Sequence, residues 1–167
     1  KDAPSGGTFT DYAYLSDSGT NTSFDPGVVQ TLSESQITTA MWDGLTDFDF
    51  TEKCAPELKG AVAEKWEAND DATEYTFTLK KDQVFSDGTP VLPSSFKAAW
   101  ERAGSAELAS AYGYLINYVE GGEALQDGSA TELSGVTADD DNLTLTVKLS
   151  SPNADFPSIV THPFFSP

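Results

Sequence analysis

The sequence predicts an α/β (α+β) fold, a small mixed sheet-and-helix domain, and three stretches carry that expectation. Residues 74–80 alternate cleanly, with Tyr75, Phe77 and Leu79 on one face and Glu74, Thr76, Thr78 and Lys80 on the other. Residues 143–149 repeat the pattern, so that Leu143, Leu145, Val147 and Leu149 share a face. Between them, Pro93-Ser94-Ser95 opens a helix that carries Phe96, Ala99 and Trp100 on one side.

In chain order, residues 8–15 place Phe9 and Leu15 with tyrosines in a strand-like run. Residues 16–22 are turn-rich, and Asp25-Pro26-Gly27 closes the segment as a turn. A helix follows, with Ser33 as N-cap and Gln36 completing a capping box. Its expected apolar face is Ile37, Ala40, Met41 and Leu45, and Gly44 is placed to end it. Residues 63–67 alternate roughly and pair with 74–80 through a hairpin loop at 69–73. Ser86-Asp87-Gly88-Thr89-Pro90 reads as a strong turn, and Ser94 or Ser95 as the cap of the helix after it. A second helical stretch is expected over about 106–118, carrying Leu108, Tyr112, Leu115 and Tyr118, and a short one over 121–127. Residues 136–138 and 143–149 form a closing hairpin, and a short helix near 155–160 follows Pro152.

Composition narrows the function classes. With 167 residues, 38% of them hydrophobic, the chain suits one globular domain or one and a fraction. Nine basic against 27 acidic residues give a charge of −18, which repels nucleic acid and anionic lipid and keeps the surface soluble. No run is apolar for long enough to span a bilayer. The Gly/Ser-rich start at Lys1-Asp2-Ala3-Pro4-Ser5-Gly6-Gly7 looks like a tether exposed by processing or cloning. Cys54 is the single cysteine, so no disulfide closes within these residues. A small core residue, a reactive thiol and half of a bridge to a residue outside the chain all remain open readings of it.

A search for catalytic chemistry comes back nearly empty. His162 is the only histidine, which excludes histidine clusters and leaves no zinc constellation. No Gly-x-Ser-x-Gly elbow occurs, and Gly121-Gly122 lacks the spacing of a phosphate-binding loop. His162 before Pro163 reads as a packed or turn residue. Asp139-Asp140-Asp141-Asn142 lacks the alternating ligands and distal glutamate of a calcium loop and reads as a solvated hairpin turn. Trp42, Trp66 and Trp100 sit among apolar neighbours and read as core. Tyr112, Tyr114 and Tyr118 spread over more than one face, so at least one hydroxyl is expected to reach solvent or a cleft. No catalytic residue, metal site or cofactor is expected.

The order of these blocks resembles a known family. Asp25-Pro26 precedes a helix reaching Trp42-Asp43-Gly44-Leu45-Thr46, and Ala63-Glu64-Lys65-Trp66 follows. Then come Tyr75-Thr76-Phe77-Thr78-Leu79-Lys80, Val84-Phe85-Ser86-Asp87-Gly88-Thr89-Pro90-Val91, Ser95-Phe96-Lys97-Ala98-Ala99-Trp100 and His162-Pro163. The chain from about residue 24 onward is similar to the family 5 extracellular solute-binding proteins, the oligopeptide-, dipeptide- and nickel-binding components of ABC importers. The resemblance implies a periplasmic-binding-protein-like type II fold. Residues 1–31 would hold the tether and first strands of a larger lobe, 32–161 a small inserted α/β domain, and 162–167 the return to the rest of that lobe. Phe164 and Phe165 would then find their burial partners outside this chain.

It also implies a monomeric, non-enzymatic protein outside the membrane, lipid-anchored in its precursor. Such a protein delivers an oligopeptide or other small solute to a membrane permease, and this chain is expected to be a fragment lacking most of the ligand cleft. Two stretches stand where ligand contacts are expected: Thr20, Asn21, Thr22 and Ser23 before Asp25-Pro26, and Tyr112. The first reads Gly-Thr-Asn-Thr-Ser over residues 19–23, without the acidic residue usual there, which counts against a carboxylate clamp for a peptide amino terminus. A stand-alone surface binding or adhesion module is the competing expectation.

Overall fold

The computed structural model describes residues 8, 10, 23–50 and 55–167. The strand expected over 8–15, the turn-rich stretch 16–22 and Cys54 therefore lie outside the described residues, Thr8 and Thr10 apart. The elements run α1 (Leu32–Met41), β1 (Thr46–Asp49), β2 (Glu57–Gly60), β3 (Ala63–Ala68), β4 (Glu74–Leu79), α2 (Pro93–Gly104), a 3-10 turn (Gly113–Tyr118), α3 (Gly122–Gln126), β5 (Val136–Asp139), β6 (Thr144–Lys148), α4 (Phe156–Ile159) and a closing 3-10 turn (Pro163–Phe165). β1 and β2 form an antiparallel pair, and the main sheet has the order β3-β4-β6-β5, antiparallel throughout.

The alternation read from the sequence becomes the pleat of this sheet. Tyr75, Phe77 and Leu79 of β4 are buried beside Leu145 and Val147 of β6, while the threonines between them face the other way and are half-buried. Thr76 and Thr146 meet across the strands at 3.5 Å on that second face. The 69–73 loop closes as expected, with the Asn69 side-chain oxygen accepting from the Thr73 and Glu74 amides at 2.9 and 3.0 Å. In the 86–90 turn Gly88 takes φ +86°, a region that side chains with a Cβ disfavour, and Asp87 accepts from the Thr89 amide at 2.9 Å. Gly60, the last residue of β2, has a different reason: a Cβ there would lie 2.2 Å from the Ala63 carbonyl oxygen. Lys80 clamps the same corner by donating to the Gly60 and Ala61 carbonyls at 3.2 and 2.5 Å.

One apolar sheet face must be covered, and α2, α4 and the C-terminal turn cover it. Phe96 and Trp100 of α2 are fully buried. The Trp100 indole N–H donates to the Phe165 carbonyl at 2.7 Å, and its ring meets Phe165 edge-on at 5.1 Å. Phe164 and Phe156 stand edge-on to Phe165 at 5.0 and 6.4 Å, and Phe156 continues to Tyr75 and Phe77 of the sheet. This corrects the expectation for the tail. Phe164 and Phe165 are 1% and 0% exposed, with their burial partners inside this chain. The 65 residues separating Trp100 from Phe165 hide the pairing from any local reading.

Other expectations change as well. α1 starts two residues earlier than expected: Thr31 caps it and Glu34 completes the box, its carboxylate accepting from the Gln30 and Thr31 amides at 3.0 Å each. An anionic acceptor at N3 serves two orphan amides and the positive helix end better than Gln36 could. The expected face of α1 is not the buried one, since Ala40 and Met41 are exposed while Glu34 and Thr38 are buried. The helix ends at Met41, and Gly44 serves close packing instead, with the Val160 carbonyl oxygen 3.0 Å from where its Cβ would stand. The stretch 106–118 is not one helix; only Gly113–Tyr118 winds, as a 3-10 turn. Finally, Asp140 does more than face solvent. It accepts from the Ser94 amide and hydroxyl at 2.9 and 2.7 Å, capping α2 from the β5–β6 turn, while the Ser95 hydroxyl accepts from the Leu92 amide at 3.2 Å.

Replacing Phe165 by Ala should lower unfolding free energy by about 3–5 kcal/mol, the usual cost of deleting a buried phenylalanine. Urea denaturation followed by tryptophan fluorescence measures it. A loss below about 1 kcal/mol would show that the tail does not close this core.

Candidate ligand-binding site

Of the two stretches singled out for ligand contact, Tyr112 follows α2, and Ser23 adjoins Asp25, which pairs with Arg102 near the C-terminal end of α2. Thr20, Asn21 and Thr22 lie outside the described residues, and Ser23 is half-buried. The Ser23 hydroxyl accepts from the Asp25 amide at 3.2 Å. Asp25 then accepts from the Gly27 amide at 2.9 Å and from Arg102 Nη1 at 3.0 Å, while its second oxygen takes Arg102 Nη2. The expected turn at Asp25-Pro26-Gly27 is present, closed by the Val28 amide on the Asp25 carbonyl at 3.1 Å. The hydrogen bond from Arg102 holds the Asp25 carboxyl below its ordinary range, against the opposing effect of burial and with help from the Gly27 amide. Trp42, half-buried, donates from its indole to the Phe24 carbonyl at 3.2 Å.

Tyr112 precedes the 3-10 turn, in the loop that leaves α2. Its ring lies 4.7 Å from the imidazole of His162 and 6.4 Å from the ring of Tyr114. Tyr114 is 55% and Tyr118 39% exposed, so the expectation that a tyrosine of this trio reaches solvent is met. The turn at 25–27 approaches the loop of Tyr112 at Gly27, where an added Cβ would stand 3.1 Å from Leu108 and 3.2 Å from Arg102. Leu108 belongs to the same loop as Tyr112.

Two grooves flank this region. One, of about 480 Å³, runs between Phe24, Pro26, Trp42, Ala99, Arg102 and Phe164. The other, of about 340 Å³, also borders Trp42 and is lined by Val62, Val84, Phe85 and Val91. Their walls are largely apolar, and the guanidinium at the rim of the first is already neutralised by Asp25. Such walls select by shape and van der Waals contact. Among the described residues no three His, Cys, Asp or Glu side chains are grouped to hold a metal ion. His162 is a packed turn residue, accepting from the Phe164 amide at 3.1 Å. The Asp25–Arg102 pair was not visible in the sequence, where 77 positions separate the partners and Asp25-Pro26-Gly27 reads as a turn alone.

Comparison with known proteins gives this scaffold its relatives. Residues 57–167 match the family model described as bacterial extracellular solute-binding proteins, family 5, middle region. The chain is 38% identical over 149 residues to the periplasmic oligopeptide-binding protein OppA of Escherichia coli, covering 87% of this chain and 26% of that protein. It is 32% identical over 155 residues to the dipeptide-binding protein DppE of Bacillus subtilis, covering 92% and 28%. The structure of the murein tripeptide-binding protein MppA of Escherichia coli superposes with a TM-score of 0.80 at 30% identity, covering 87% of this chain and 28% of that one. The chain thus spans about a quarter of the length of these relatives. The α/β expectation of a type II periplasmic-binding-protein fold holds. The relatives are solute-binding proteins and not enzymes, and none of them supports the adhesion-module expectation.

Asp25→Asn should loosen the 23–30 segment while leaving the core intact. Hydrogen exchange at the amides of residues 27–30 should accelerate, while global stability falls by at most about 1 kcal/mol because the ion pair is largely solvent-screened. In the unchanged protein the Asp25 contribution is complete above pH 3.8, its ordinary value, and fades as pH falls through the lowered one. Unchanged exchange in the variant would remove the pair as the anchor of this segment.

Proposed function

The chain belongs to the family 5 bacterial extracellular solute-binding proteins, and on that premise we propose that it is one part of a two-lobed peptide-capturing component of an ABC importer. The observation that carries this reading is the match of 87% of the chain to an oligopeptide-binding protein at 38% identity. The longer protein takes up an oligopeptide outside the membrane and hands it to the permease as a monomer. A lipid at its N-terminus keeps it at the cell surface. Residues 1–31 contribute to the larger lobe, 32–161 make the small inserted domain, and 162–167 lead back to the larger lobe.

The mechanism needs no covalent chemistry. Two lobes close on the ligand, and the solute is chosen by its higher affinity for the closed state. The part seen here supplies mostly scaffold, with Thr20, Asn21, Thr22, Ser23 and Tyr112 as its contribution to the cleft. The polar, uncharged character of the 20–23 stretch suits hydrogen bonds to a peptide backbone, which every peptide offers whatever its side chains. The apolar walls of the groove at Phe24 and Pro26 suit the same breadth.

The whole protein, isolated from its native source, tests this. Native mass spectrometry should find it heavier than this chain and carrying peptides of a few residues. A bound solute of another class, or no binding from a library of di- to pentapeptides, would overturn the peptide reading. In that protein Tyr112→Ala should weaken peptide binding about 5- to 30-fold by calorimetry, the loss of one aromatic contact of about 1–2 kcal/mol. An unchanged affinity would take Tyr112 out of the cleft and leave the transport reading standing.

A further inference from the structure

His162 stands at the junction between the candidate cleft and the core. It caps the closing 3-10 turn through its side chain: Nδ1 accepts from the Phe164 amide at 3.1 Å. The neutral ring therefore carries its proton on Nε2. From the same residue the backbone carbonyl accepts from the Phe165 amide at 2.9 Å. Phe165 is in turn fixed by the Trp100 indole and the edge-on rings of Trp100, Phe164 and Phe156. On its other side the imidazole packs on Tyr112. One ring thus joins the tail that closes the core to the loop that carries a candidate binding residue.

An imidazolium has no acceptor. Protonation would set an Nδ1–H against the Phe164 N–H, leaving both donors facing each other in a half-buried place. We propose that His162 is a proton-operated latch: neutral, it holds the 163–165 turn through the Phe164 amide, and protonated, it releases that turn while its contact with the Tyr112 ring becomes one between a cation and an aromatic face. The consequence for Tyr112 as a binding residue rests on the function proposed above; the latch on the tail does not.

The charged groups on the neighbouring elements do not oppose this. On α1, Glu34 is engaged with the Gln30 and Thr31 amides. On α2, Lys97 and Glu101 pair with each other and Arg102 holds Asp25. Asp155, ahead of α4, acts on the Tyr75 phenol, and Glu107 in the loop of Tyr112 lines a separate groove with Arg102 and Leu125. Asp43 and Asp47 share a small cleft with Thr161 and Pro163, the residues on either side of His162. None of these carboxylates raises the imidazole; burial alone acts on it and lowers it below 6.5. The sign follows: the unfolded chain binds the proton more readily, so stability is complete above pH 6.5 and declines as pH falls below it, until the native ring itself protonates.

Because this is the only histidine, its ring signals in nuclear magnetic resonance need no assignment among others. A pH titration of the isotope-labelled chain should show the Nε2–H tautomer and a midpoint below 6.5. The Phe164 amide and the Trp100 indole N–H should shift with that same midpoint. In His162→Asn, which keeps a side-chain acceptor but cannot titrate, the Trp100 step should disappear. The Nδ1–H tautomer, a midpoint at or above 6.5, a Trp100 signal that stays still while the ring titrates, or a step that persists in His162→Asn would each overturn the latch. With the latch confirmed, peptide affinity of the whole protein that does not change across the same midpoint would sever only its link to binding.

Discussion

The described residues are arranged around a four-stranded antiparallel sheet with an apolar face. Such a sheet is stable only when that face is covered. The aromatic weight of the cover is concentrated in one chain of contacts, from Phe77 through Phe156 and Phe165 to Trp100. Those residues come from four separate stretches. The sheet, α2, α4 and the tail therefore gain their packing together, since an aromatic edge-on contact has value only when both rings are fixed. The indole N–H of Trp100 adds a polar constraint, because a buried donor needs its acceptor and the Phe165 carbonyl supplies it.

This dependence explains what could be read in advance. β4 and β6 were legible because the pleat itself writes a period of two into the sequence, and the turn at 86–90 because Asp-Gly chemistry is local. α2 was legible from its apolar stripe, but its cap was not. Asp140 reaches Ser94 from 46 positions away, and in the sequence it looks like part of a solvated acidic run. α1 misled for a different reason: it has few tertiary contacts to enforce a stripe, so Met41 and Ala40 stay exposed and the buried side chains are polar. The 106–118 stretch had apolar residues at helical spacing but had Gly113 within it, and the backbone there follows the demands of Ile116 and Val119 against the core. Tail burial could not be read at all, since the sequence shows two phenylalanines in need of cover and gives no sign of where the cover is. Of the candidate site, Ser23 and Tyr112 could be placed, while the ion pair that anchors their neighbourhood could not.

The blocks that carry the family resemblance fall almost wholly on this scaffold. Tyr75, Phe77, Leu79, Phe96 and Trp100 are buried, and the 86–90 turn exists to reverse the chain. A signature of this kind identifies a fold with confidence in proportion to how strictly packing constrains each position. Ligand choice is left to rim positions that packing does not constrain. Relatives named for oligopeptides, dipeptides and a murein tripeptide accord with that division.

The forces holding the two regions differ in kind, and the difference has a use. The core is held by fully buried rings whose removal costs several kcal/mol each. The segment 23–30 is held by an exposed ion pair, an Asx turn and the Glu34 cap, contacts that solvent and salt weaken. For the binding role proposed above, a gradient from dry aromatic packing to wet polar anchors would let the rim adjust around ligands of varied shape without disturbing the framework that positions it. His162 sits where the gradient is steepest, half-buried between Tyr112 and the Phe164 amide. At that one position a local change in charge can act on the rim and on the core together.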